Sequence, residues 1–159
     1  MSHSAAEPKT LNPGLRTYKG SCPCGAVRFE ADFDPNAGTS RCNCTVCTKT
    51  GWWGTIVKPG AFRLLAGQEL LGDYSRSEAG HARFCQRCGV RVFGHGNIPE
   101  LGGDYYSVNL NCLDGADLSG APVSYLDGRH DTWAQLALAP YVDPFVAALR
   151  GLRPAASAS

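Results

Sequence analysis

Short runs of alternating apolar and polar residues, or of β-branched residues, recur along the chain, each bounded by Gly, Pro, Asn or Asp. They fall at residues 26–31, 54–58, 61–65, 70–74, 81–84, 90–93, 105–110 and 122–126, and each predicts a strand. Helical signals are confined to two places. Residues 143–150 open with Asp143 as N-cap and Pro144 at the first helical position, and Gly151 follows, so a two-turn helix is predicted there. A shorter turn of helix is predicted for 45–50. The chain therefore reads as mainly β with one or two short helices.

Nineteen glycines and ten prolines among 159 residues, without a period, reinforce short strands and many turns. Segments 1–15 and 153–159 are small or polar and lack periodicity, so both read as loose tails flanking one domain at 16–152. A chain of this length buries about two-thirds of its unfolded surface, enough for a hydrophobic core that metal need only supplement. No run of about 18 apolar residues occurs, and the first residues lack the basic-then-apolar order of a secretory signal. No membrane span is expected, and the expected location is the reducing cytoplasm. Fifteen Lys+Arg against fourteen Asp+Glu leave a formal charge of +1, with no basic field to gather nucleic acid or an anionic membrane surface.

Against that background the cysteines stand out. Seven of eight lie in three clusters: Cys22/Cys24, Cys42/Cys44/Cys47 and Cys85/Cys88. In a reducing compartment clustered thiols hold metal rather than disulfides, and zinc, two ions per chain, is the expected cofactor. There is an internal echo: Cys22-Pro-Cys24-Gly25-Ala26-Val27-Arg28 resembles Cys85-Gln-Arg-Cys88-Gly89-Val90-Arg91, two cysteines and a glycine leading into a strand. The glycine permits positive φ, which lets backbone N–H groups approach the sulfurs. The echo pairs the two knuckles as one closed, structural site of four thiolates. Cys42, Cys44 and Cys47 remain, three thiols in six residues; three ligands and an open position are the arrangement of catalytic zinc.

Three other readings stay open: buried free thiols, an iron–sulfur cluster, whose ferredoxin spacings the C-x-C pairs do not match, and a triplet closed by a fourth protein ligand. Cys112, alone at a strand end, reads as a core cysteine. His95 reads as a solvated loop histidine just past the second knuckle's strand, within range of a metal, while His81 and His130 have no neighbouring ligand pattern.

At these residues the sequence resembles the glutathione-dependent formaldehyde-activating enzyme family, which includes centromere protein V-like proteins. The resemblance runs from Tyr18 and Lys19 through the Cys22/Cys24 knuckle to Phe29, through Cys42–Cys47 and Phe84–Gly89, and more weakly through Val108–Asp114 and Thr132-Trp133 to about Pro140. Pro23 departs from it, where members often have histidine. The resemblance implies a β-tent (Mss4-like) fold, two small sheets joined by zinc. It also implies that Cys22, Cys24, Cys85 and Cys88 hold the structural ion and Cys42, Cys44 and Cys47 the catalytic one.

The activity it implies is that of a carbon–sulfur lyase or the reverse condensation, with a small thiol such as glutathione and a small electrophile such as formaldehyde joined as an S-hydroxymethyl adduct. Arg41, Lys49 and Lys58 are candidate partners for an anionic thiol, or else ordinary solvated charges. Trp52-Trp53 reads as a wall of the site or as a buried pair. The competing class is a non-enzymatic zinc module for a macromolecular partner: a sealed triplet favours the module, a cleft at the triplet the enzyme.

Overall fold

The computed structural model describes residues 14–144. Among these, three strands, β1 (Arg16–Ser21), β2 (Arg28–Phe33) and β5 (Phe62–Ala66), form an antiparallel sheet in the order β1-β2-β5. A larger sheet contains β3 (Thr39–Cys42), β4 (Gly54–Val57), β6 (Leu71–Ser77), β7 (Gly80–Cys85), β8 (Arg91–Ile98), β9 (Gly103–Asn109), β10 (Pro122–Leu126) and β11 (Gln135–Pro140). Its order is β11-β10-β3-β4-β9-β8-β7-β6, antiparallel throughout except for the parallel pair β10–β3. The α-helix α1 (Thr45–Thr50) joins β3 to β4.

Alternation explains how the sheets pack. Along β2 the odd-numbered Phe29, Ala31 and Phe33 are buried while Arg28, Glu30 and Asp32 face outward. The outward side is tied by Arg63 of β5, whose guanidinium donates to Glu30 at 2.6 Å and to Asp32 at 2.8 and 3.0 Å. Inward, Phe62 of β5 stacks on Phe93 of β8 and Tyr106 of β9, with centroids 4.7 and 4.6 Å apart, and on Phe29 at 5.6 Å. This aromatic column fills the space between the sheets; burying each ring contributes about 1.5–3 kcal/mol.

Every strand predicted from the alternation is present, and α1 spans the predicted residues, capped by Cys44 and ended by Gly51 in the left-handed region. The predicted helix at 143–150 lies, beyond its first two residues, outside the described residues, as do the two tails except for Gly14 and Leu15. Three strands lack the expected signal. β1 exposes most of its polar residues and exists by pairing with β2; β3 is four residues long and mostly polar; and β11 is exposed along its whole length, so no buried face marks it. The implied pair of small sheets is also uneven, since one has eight strands. His95 is not in a loop: β8 runs on to Ile98, and the His95 ring stacks on His81 at 4.8 Å, with Arg83 3.2 Å from its Nε2.

Candidate functional site

The four-cysteine cluster sits where the tips of two hairpins meet, the β1–β2 turn of the small sheet and the β7–β8 turn of the large one. Cys22 and Cys85 are buried and Cys24 is exposed. The Cys22 and Cys24 sulfurs are 3.5 Å apart, those of Cys24 and Cys85 3.7 Å. Four sulfurs each about 2.3 Å from one ion, in a tetrahedron, stand about 3.8 Å apart. The spacing is therefore compatible with zinc.

The internal echo is also an echo of geometry. Cys22 N–H donates to Val27 O and Cys85 N–H to Val90 O, both at 3.0 Å, while Gly25 and Gly89 donate to Cys22 O and Cys85 O at 2.8 and 2.7 Å. Both glycines have positive φ, 75° and 80°. The turn that each permits brings Val27 N–H to 3.3 Å from Cys22 Sγ. Burial raises the Cys22 thiol, but that N–H and the adjoining sulfurs outweigh it and bring it to about 7. At Cys24 the Ala26 N–H draws the thiol down, while burial and the same sulfurs carry it up to about 11. Cys85 is drawn down as Cys22 is, chiefly by backbone N–H, so the cluster favours some thiolates and opposes others; a divalent ion would allow all four.

The triplet is built locally. Cys42 ends β3, Cys44 caps α1 and Cys47 lies in its first turn, so the helix start folds three sulfurs into a group within 4.8 Å of one another. Cys44 N–H donates to Cys42 Sγ at 3.3 Å and Cys47 N–H to Cys44 Sγ at 3.4 Å. Burial raises all three thiols, but at Cys44 the Cys47 N–H prevails and the net direction is down. Cys47, pressed by burial and by the neighbouring Cys44, goes up to about 12. All three cysteines are half-buried, and no fourth Cys, His, Asp or Glu joins them among the described residues. This group too could hold one metal ion, with its cysteines on one side of it.

The other side is a cleft of about 350 Å³ lined by Cys42, Cys47, Arg41, Trp52, Tyr125 and Leu136, among others. The candidate cations separate here: Arg41 lines the cleft, Lys49 is exposed outside it, and Lys58 donates to Leu101 O at 2.8 Å beside a different groove. The tryptophans separate as well. Trp52 walls the cleft, whereas Trp53 is buried, donating to Thr39 at 2.8 Å and stacking on Tyr141 at 4.0 Å.

Three features of the site escaped the sequence reading. The first is Arg91, whose guanidinium lies 3.8 Å from the centre of the ring of Trp52, the residue whose N–H donates to Cys47 O at 3.0 Å. The second is the β10–β11 loop. Parallel pairing sets Leu126 opposite Cys42, so residues 127–134 pass directly beside the triplet. Buried Asp127 accepts from Asn43 Nδ2 at 3.0 Å and pairs with His130 Nδ1 at 2.9 Å; Asn43 in turn accepts from Arg129 N–H at 2.8 Å. The Asn43 amide holds the Asp127 carboxyl below the usual carboxylate range, with His130 adding to the effect. The third is close approach: a Cβ on Gly128 would collide with Cys42 Sγ. Asp131 and Trp133 both have φ of 57°, a left-handed conformation that costs a non-glycine residue about 1 kcal/mol or more and that this hydrogen-bonded loop sustains. Cys112 is buried near the four-cysteine cluster without joining it, and burial pushes its thiol up to about 12. The core reading of that residue holds.

Comparison with known proteins adds two findings. A family model described as glutathione-dependent formaldehyde-activating enzyme matches residues 17–126. A Rhodobacter sphaeroides protein of known crystal structure is similar at 27% identity and a TM-score of 0.55, over 62% of this chain and 90% of that one.

Proposed function

This chain belongs to the glutathione-dependent formaldehyde-activating enzyme family, and on that premise we propose that it is a zinc-dependent carbon–sulfur lyase, acting on the adduct of a small thiol and a small aldehyde or forming it. Glutathione, formaldehyde and S-hydroxymethylglutathione are the compounds the family suggests. Cys22, Cys24, Cys85 and Cys88 hold a structural zinc; Cys42, Cys44 and Cys47 hold the catalytic one. Zinc with an open position supplies an ionised thiol at neutral pH and a Lewis acid for a carbonyl.

The observation that carries this reading is the cleft at the half-buried triplet. The condensation joins the thiol sulfur to the aldehyde carbon while the carbonyl oxygen takes up the proton the thiol gives off, and the reverse reaction breaks the same bond. The chain's task is therefore to hold two small partners in line. Arg41 offers its guanidinium to a carboxylate of the thiol, Trp52, Tyr125 and Leu136 give the cleft an apolar wall, and the loop tied by Asp127 keeps Cys42 in place.

The test is metal analysis followed by titration with glutathione and then formaldehyde, with the adduct followed by NMR. Two zinc ions per chain, a change in coordination on adding thiol, and faster adduct formation or breakdown are expected; full zinc content with neither of the other effects rules the reaction out. A second reading, a non-enzymatic interaction module, draws on one observation: β11 leaves Leu136 and Leu138 about 60% exposed at the edge of the large sheet.

A further inference from the structure

The two knuckles each carry a basic residue after the glycine, and the two side chains part company. Arg28 is exposed and its Nε donates to Gly25 O at 3.0 Å. Arg91 turns inward. Its Nε is buried without a hydrogen-bond partner, and it forms no ion pair with a carboxylate among the described residues. A cation partly withdrawn from water in this way is destabilising unless an anion lies near it. Stacking on Trp52 at 3.8 Å offsets part of that. Trp52 donates its N–H to Cys47 O at 3.0 Å and lines the cleft with Cys42 and Cys47, which places the stacked guanidinium beside the triplet; Cys47, Tyr105 and Cys44 are the acidic groups that act on it, and burial holds the Tyr105 phenol above its ordinary pKa. The anion is left to the triplet.

We propose that Arg91 is the counter-charge of the Cys42/Cys44/Cys47 centre, a positioning residue that holds the Cys47 thiolate and cancels the centre's net negative charge, so that an anionic thiol can enter. The inference rests on the triplet carrying a divalent metal, as in the function proposed above. Three thiolates around a divalent ion sum to −1, and an incoming thiolate takes the sum to −2. In a partly desolvated site each added negative charge is opposed by those already there. With Arg91 included, the sums are 0 and −1. In the four-cysteine cluster the Val27 N–H faces the Cys22 sulfur at 3.3 Å and the matching Arg28 is exposed, which suits a closed site that receives no further anion.

The test uses the full chain, stripped of metal and titrated with cobalt(II), whose bands from thiolate coordination report each centre separately. In wild-type protein two equivalents are expected. In Arg91→Met the first equivalent should bind as in wild type and the second roughly 30-fold or more weaker. Arg91→Lys should restore most of that loss, and in the variants that still load, affinity for glutathione should fall by more than affinity for neutral 2-mercaptoethanol. Arg91→Gln, which keeps a hydrogen-bond donor without the charge, asks the same question if the methionine variant is insoluble. A second equivalent bound by the uncharged variants as tightly as by wild type would overturn the inference, and so would a lysine variant as weak as the methionine one. If wild-type protein takes only one equivalent, the proposed function falls and this inference with it; two equivalents in wild type with no response to the uncharged variants remove the inference alone.

Discussion

The Cys22/Cys24/Cys85/Cys88 cluster draws its sulfurs from two hairpin turns, with Cys24 and Cys85 61 residues apart, whereas the Cys42/Cys44/Cys47 cluster takes all three of its own from one helix start. In the first, two cysteines are buried and the group lies at the meeting of the sheets; in the second, all three are half-buried and border a cleft. A metal in the first closes a long loop, so its binding energy is folding energy. A metal in the second closes a stretch that β3, α1 and the Asp127 loop already hold. On the proposed reading, the same side chain would serve fold or chemistry according to how far apart in sequence its partners lie and whether a fourth one is supplied.

The sharpest way to break this comparison is to remove one thiolate from each cluster. Cys88→Ser should leave the protein insoluble or lower its Tm by more than about 10 °C, while Cys44→Ser should stay within about 5 °C of wild type. Equal losses in thermal melts of the two variants would erase the distinction.

Metal removal should follow the same order. A graded chelator titration should strip the triplet first, with β-sheet circular dichroism retained, and then the four-cysteine site with loss of the fold. Simultaneous loss of metal and structure would mean that both sites are structural.

A smaller effect is expected at Asp127. Its carboxyl is held below the usual range by Asn43 and His130, so its contribution is present above the ordinary carboxylate pKa of about 4 and is lost as pH falls through the lower native value. Asp127→Asn should lower Tm by about 5 °C at neutral pH and by less in acid, and should weaken metal retention at the triplet while leaving the four-cysteine site unchanged. A Tm deficit that stays constant down to pH 2 would show that the charge plays no part.

The smallest effect on stability concerns the cleft wall. Tyr125→Ala and Arg41→Ala should move Tm by no more than about 2 °C, as expected for exposed or half-exposed residues, and raise KM for the thiol several-fold with kcat little changed. Unchanged KM in both variants would place the thiol elsewhere.

Much of this was legible in one dimension because the signals are local. The alternation of Phe29, Ala31 and Phe33 marks a strand in any context. The glycine after each knuckle marks a positive-φ turn, and the echo between the knuckles foretells that Cys22 and Cys85 make the same backbone hydrogen bonds. The α1 boundaries followed from the same kind of local reading. What sequence could not supply was whatever depends on a partner strand or on which side of a sheet faces what. β1 and β11 have little inward pattern of their own, and pairing with β2 and β10 makes them strands. From sequence His95 reads as a loop residue, because nothing in Phe93-Gly94-His95-Gly96 shows that β9 continues beside it. Arg28 and Arg91 occupy like places in like motifs, and only tertiary packing turns one toward solvent and sets the other against Trp52 beside the triplet. Residue type and spacing are properties of a chain segment, and they determined most of the strands, the turns and the grouping of the cysteines; the direction of a side chain's charge depends on neighbours brought in from elsewhere, and tertiary structure alone decided it.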